Sequence, residues 1–157
     1  MRHAKSSWKS DAPHDHERPL NKRGRRDAPK VAAELARLGW IPDAVLSSDS
    51  ARTAETIARM KASLGFRGDA ELRSDLYHGG ESELRAALAA QPVSVTTVLA
   101  LGHNPGWAEA LDVLSGQAEE MGTACCALLS ANATSWAEAV ESHGSWTLER
   151  MVRPREL

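Results

Sequence analysis

The sequence predicts an α/β fold: a three-layer sandwich with a mostly parallel central sheet and helices on both faces. Three observations predict it. Strand-like and helix-like segments alternate along the chain, the pattern of a parallel-rich sheet with crossover helices. The run Thr97-Val98-Leu99-Ala100-Leu101 is continuously apolar, as expected of a strand covered by helices on both sides. Polar residues with chemical potential, Ser47-Ser48 with nearby Arg52 and then His103-Asn104, follow directly on strand-like runs, where open α/β sheets bind their ligands.

Each element has a local reason. Residues 6–23 show neither helical nor strand periodicity and read as a long loop, a length usually tied to function. From Gly24 the spacing becomes helical, with Val31, Leu35 and Leu38 on one face and Gly39 as the stop. Asp43-Ala44-Val45-Leu46 reads as a buried strand ending in Ser47-Ser48. Helical spacing resumes over 49–64 through Ala54, Ile57, Ala58 and Leu64, and Gly65 closes it. Ala70 to Leu76 is expected to be a short strand and Glu83 to Ala90 a short helix. Asn104 suits an N-cap and Pro105 a first helical position, so a helix is expected there, burying Trp107, Leu111 and Leu114. Thr123 to Leu129 and Ser145 to Val152 read as strands. Trp136 and Trp146 read as core packing.

Bulk composition narrows the class. A chain of 157 residues fits a single domain over 1–157, large enough for a continuous core. At 42% hydrophobic and 25% charged residues the chain is too apolar to be disordered. Its net charge of -2 supplies no global field for nucleic acid or an anionic membrane, so neither is an expected partner and any anion site must be local. The basic group Arg18, Lys22, Arg23, Arg25 and Arg26 reads as a solvated helix start. Cys125 and Cys126 are adjacent, do not favour a disulfide, and fit a reducing compartment. With no apolar run near the roughly 20 residues of a membrane span and a polar beginning, the expected location is cytoplasmic.

The chemistry is carried by three separated segments, Arg2-His3-Ala4-Lys5, Arg52, and Gly102-His103-Asn104-Pro105-Gly106. Alone, each has a plain structural reading. Together they meet the needs of phosphoryl transfer: an unprotonated nucleophile, and donors for three equatorial oxygens. His3 would attack, Arg2 and Arg52 would bind oxygens through charge-assisted hydrogen bonds, and His103 would donate to the transferring group. The helix after Asn104 would add partial positive charge.

These residues, with Asp15-His16-Glu17-Arg18-Pro19-Leu20-Asn21-Lys22-Arg23-Gly24 and Ser47-Ser48-Asp49-Ser50-Ala51-Arg52-Thr53-Ala54-Glu55-Thr56, resemble the histidine phosphatase superfamily, and within it the SixA-type phosphohistidine phosphatases. The resemblance implies a phosphatase in which His3 becomes phosphorylated and Arg2, Arg52, His103 and Asn104 hold phosphate. It also implies a two-step hydrolysis without cofactor or metal. The segment Asp75 to Glu83 holds no clear match to the carboxylic acid of many superfamily members, and Glu81 is only a weak candidate proton donor. Phosphohistidine lessens that need, since a protonated imidazole leaves readily. The implied partner is a phosphohistidine-bearing protein such as a phosphotransfer domain, which could approach an open site because the interval from Gly65 to Gly80 is too short for a lid; a monomer is expected.

The resemblance also implies that the first central strand is missing or truncated, since only Met1 and Arg2 precede His3. An upstream natural start, or an unstable product, is the expectation. A metal site at Asp11, His14, Asp15 and His16 is the weaker reading of that loop, and activity indifferent to chelation is expected. Two other functions fit the same residues: a phosphomonoesterase acting on a small phosphorylated metabolite, and a non-catalytic phosphate-binding module.

Overall fold

The structure is a computed structural model covering residues 1–157. Helix α1 (Lys22–Arg37) starts where Asn21 accepts a hydrogen bond from the Gly24 amide at 2.9 Å, a side-chain N-cap. Strand β1 (Ala44–Ser48) leads into α2 (Ala51–Leu64), which stops at Gly65 with φ +75°. Strand β2 (Glu71–Arg73) is shorter than expected, because Ser74–Leu76 coils into a 3-10 turn that buries Leu76. Helix α3 (Glu81–Ala89) begins two residues before the expected Glu83, with the Glu83 carboxylate accepting from the Gly80 amide. Strand β3 (Val98–Leu101), helix α4 (Gly106–Ser115), strand β4 (Cys126–Ser130), the short α5 (Trp136–Ala139) and strand β5 (Thr147–Val152) complete the chain.

Strands β2, β1 and β3 form a parallel sheet in the order β2-β1-β3, and β4 pairs antiparallel with β5. Three residues join the two sheets. Arg2 forms a single parallel bridge with Gly102; the Gly102 amide donates to the Met1 carbonyl and the His3 amide to the Gly102 carbonyl. On the other side Arg2 donates to the Cys125 carbonyl and Ala124 to the His3 carbonyl. The segment Met1 to His3 is thus held from both edges by four backbone hydrogen bonds.

Two apolar clusters cover the two faces. One packs Ala28, Val31 and Leu35 of α1 and Ile57, Met60 and Leu64 of α2 under the sheet. The other packs Leu84 and Leu88 of α3 with Trp107 and Leu111 of α4, and takes in Trp136 and Trp146 from the last third. Trp136 donates to the Val95 carbonyl at 2.7 Å and Trp146 to the Ala139 carbonyl at 2.7 Å; these are half-buried tryptophans packed against the core, with satisfied ring nitrogens. No helix is long and apolar enough to cross a membrane.

Candidate active site

Two cavities matter. The larger, about 530 Å3, is an apolar cleft lined by Met1, Leu99, Trp107, Leu128 and Trp136 among others, and none of its residues is Arg, Lys or His. The smaller, about 210 Å3, lies at the C-terminal ends of β1 and β3 and is lined by Arg2, His3, Lys5, Ser6, Trp8, Arg18, Arg52, His103, Asn104 and Thr123. It contains four cations and no carboxylate. Arg2, His3, Arg52, His103 and Asn104, far apart in sequence, converge here as expected.

His3 is 7% exposed, and its ring centroid stands 5.1 Å from that of His103. Its Nδ1 lies 2.7 Å from the Ala4 carbonyl oxygen. A carbonyl can only accept, so the proton sits on Nδ1 and the Nε2 lone pair is left bare. Burial, then the charges of Arg52, Arg2 and Arg18, holds the imidazole down to about 4, against the help it receives from Ala4. Both effects keep His3 neutral near pH 7, the state a nucleophile needs. The Ala4 amide donates to Thr56 Oγ1 at 3.0 Å, and Thr56 donates to the Arg52 carbonyl at 2.6 Å. The segment carrying His3 and the helix carrying Arg52 are therefore tied together.

His103 is held by Ser48, whose Oγ lies 2.9 Å from Nε2. With the hydroxyl donating to Nε2, the ring carries its proton on Nδ1, which is buried with no protein partner. Burial, with the neighbouring His3 and Arg52, pushes His103 down to about 3. Nε of Arg2 and Nε of Arg52 are likewise buried and unpartnered. Unpaired buried donors are costly and rare. Two of them, the guanidinium Nε–H groups of Arg2 and Arg52, belong to residues lining one cavity and are the kind of donor an oxyanion needs.

Two expectations change. Asn104 does not cap α4: the helix opens at Gly106 after a cis Asn104–Pro105 peptide, and Asn104 Nδ2 donates to the Met121 carbonyl at 2.9 Å. Asn104 lines the cavity wall with Oδ1 buried and unpartnered, and an amide oxygen only accepts, so that atom offers no donor to a phosphate oxygen. Glu81 stands on the first turn of α3, where its carboxylate pairs with Arg85 at 2.8 Å, and it does not line the cavity. The i,i+4 geometry of a helix makes that pairing natural.

Sequence reasoning placed Ser48 at a strand end without giving it a partner, and passed over Tyr77 and the partner role of Asp15. Tyr77 stands edge-on to His103 at 5.4 Å, donates to Asp15 Oδ2 at 2.7 Å and lies under the Arg52 guanidinium. Asp15, read as a loop carboxylate, pairs with Arg52 at 3.0 Å. The one available signal was its position three residues before Arg18, to which it is also bonded. The group proposed as a metal site is broken up by such pairings: His16 bonds Asp49 at 2.8 Å while Asp15 serves the arginines.

With this geometry in hand, comparison with known proteins is specific. Residues 1–78 match the family model of the histidine phosphatase superfamily (branch 1). An uncharacterized chloroplastic protein of Arabidopsis thaliana is 39% identical over 165 residues, covering 98% of this chain and 76% of that one. A provisionally identified phosphohistidine phosphatase SixA from Nakamurella multipartitia superposes with a TM-score of 0.85 at 28% identity, over 98% of this chain and 93% of its own. The protein histidine phosphatase SixA complexed with tungstate shares the fold, with a TM-score of 0.85 at 24% identity over 99% and 96% of the two chains.

Proposed function

Since the chain belongs to the histidine phosphatase superfamily, with a SixA-type fold, and is a phosphatase, we propose that it hydrolyses phosphohistidine on a protein through a phosphoenzyme at His3. The observation that carries this reading is the His3 tautomer. Nδ1–H is committed to the Ala4 carbonyl, so Nε2 is free to attack inside a cavity with two unpartnered guanidinium N–H donors.

In the first step the Nε2 lone pair forms a bond to phosphorus as the P–N bond to the substrate imidazole breaks. The bonding pair leaves with that imidazole, which departs neutral when its other nitrogen already carries a proton. Arg2 Nε, Arg52 Nε and His103 Nδ1–H bind the equatorial oxygens as charge shifts onto them. The Ala4 carbonyl stabilises the positive ring that phosphorylation creates on His3. In the second step water attacks phosphorus, the P–Nε2 bond breaks, and inorganic phosphate leaves with His3 restored.

The cavity wall supports this reading of the substrate class. None of its ten residues is Asp or Glu, so no carboxylic acid stands ready to protonate an alkoxide. A leaving group that brings its own proton suits such a site. A phosphotransfer domain is the kind of partner that presents phosphohistidine on an exposed surface.

Labelled phosphohistidine protein tests the reading. The wild type is expected to release labelled phosphate and, on rapid quench, to carry acid-labile label on His3, while His3→Ala does neither. Equal loss of label with both proteins, or label on another residue, would overturn it. So would a kcat/KM for a small phosphomonoester above that for phosphohistidine.

A further inference from the structure

Arg52 presents only one of its two hydrogen-bonding edges to the cavity, and the other is fully occupied. Its Nη1 donates to the Asp15 main-chain carbonyl at 2.7 Å, and its Nη2 to Asp15 Oδ2 at 3.0 Å. These two contacts use the end-on edge of the guanidinium. The side-on edge, made of Nε–H and the second Nη2 proton, is left, and Nε is buried without a protein partner. Planar guanidinium groups donate in a fixed fork, so fixing one edge fixes where the other points.

Asp15 is itself held on every side. Tyr77 donates to Oδ2 at 2.7 Å and Arg18 Nε to Oδ1 at 2.8 Å. Arg18 is anchored in turn by the Ser7 carbonyl at 3.1 Å and by its stack on Trp8, 3.6 Å from guanidinium carbon to ring centroid. The Arg52 side chain is 7% exposed and that of Asp15 is 50% exposed. The carboxylate therefore closes the outer side of a buried guanidinium.

We propose that Asp15 is a positioning residue that holds Arg52 by its end-on edge, so that the side-on edge receives the phosphoryl oxygens. The alternative geometry, in which the carboxylate occupies the phosphoryl position and must be displaced, leaves the unpartnered Nε unexplained. Hydrogen bonding from Tyr77, then the charges of Arg52 and Arg18, lowers Asp15 to about 2, so it accepts from Arg52 at every pH where the protein works. The proposal rests on the phosphate pocket proposed above, but not on phosphohistidine being the substrate.

The test uses tungstate and inorganic phosphate as probes on the full chain, alongside kcat and KM with whichever phosphorylated substrate the wild type turns over. Asp15→Ala is expected to weaken anion binding and lower kcat by about tenfold or more, the size of one hydrogen bond to a charged group. Asp15→Asn keeps an oxygen for Nη2 and is expected to stay within about threefold of wild type. In an Arg52→Ala background the Asp15→Ala change should add nothing, because its effect runs through Arg52.

Tighter anion binding by Asp15→Ala would show that the carboxylate competes for the phosphoryl position, and would overturn the proposal. Unchanged binding, or additive losses in the double variant, would also overturn it. Should the alanine variant melt below the assay temperature, Tyr77→Phe serves instead. It loosens the carboxylate alone and is expected to give a smaller loss in the same direction, and no loss would count against the role. If phosphohistidine hydrolysis fails while anion binding follows this pattern, the substrate reading fails and the positioning role stands.

Discussion

His3 and His103 share a buried cationic pocket, yet each is fixed by a different neighbour, and that difference assigns their chemistry. A carbonyl acceptor on Nδ1 leaves Nε2 of His3 as the bare nitrogen; the Ser48 hydroxyl engages His103 at Nε2 and leaves its Nδ1 unpartnered. Both rings titrate far below the usual 6.5, at about 4 and about 3. The unprotonated His3 therefore persists as pH falls, and the acid limb of kcat/KM is expected near 4. A limb centred near 6.5 would show that burial does not govern this ring. Stability carries the opposite cost. Above 6.5 both rings are neutral in either state and contribute nothing; below it the unfolded chain gains protons that the folded chain refuses. The melting temperature is thus expected to drop between pH 6.5 and 4, and to drop less in His103→Asn.

Close backbone approach sets the geometry between elements. The first turn of α1 crosses the strand just after the nucleophile, where the Asn21 amide donates to the Lys5 carbonyl at 2.9 Å. A Cβ at Gly24 would stand 2.3 Å from that same oxygen and 2.9 Å from the Lys5 nitrogen. Helix propensity alone predicts that Gly24→Ala stabilises α1 by up to about 1 kcal/mol. The clash reverses the sign: a loss of about 1–3 kcal/mol is expected, lowering the melting temperature by roughly 3–10 °C for a chain of this size, with activity falling as Lys5 and His3 shift. An unchanged or higher melting temperature would refute the contact. Gly102 is fixed in the same way, since an added Cβ would lie 2.4 Å from the Trp107 ring. Its smallness lets α4 pack directly under the residue before His103.

Over the whole molecule, charge is nearly balanced at -2, while Arg2, Lys5, Arg18 and Arg52 line one small cavity. Most other cations pair with carboxylates, as Arg25 does with Glu55 and Arg73 with Asp75; Lys5 has no such partner. It is therefore expected to draw in the anion without positioning it. Lys5→Gln should raise KM by ~2–5-fold in low salt with kcat nearly unchanged, and the difference should shrink at 0.5 M salt, where screening acts within a few Å. An equal KM for both proteins in low salt would remove Lys5 from that role. The layered architecture makes this concentration of charge possible: α1 and α2 bury one face of the sheet, α3 and α4 the other, and the strand ends remain open between them.

Element order and the ends of most elements were legible in the chain, because helical spacing through Val31, Leu35 and Leu38, the apolar run 97–101 and stops at Gly39 and Gly65 are local features of few residues. The meeting of Arg2, His3, Arg52 and His103 was legible for the same reason, since strand ends and helix starts cluster in a parallel sheet. Tertiary structure alone decided that Asn104 bonds Met121 instead of capping α4 and that Asp15 reaches Arg52 across 37 positions. It alone chose the free nitrogen on each imidazole. These outcomes depend on desolvation and on partners distant in sequence, and neither leaves a trace in local pattern.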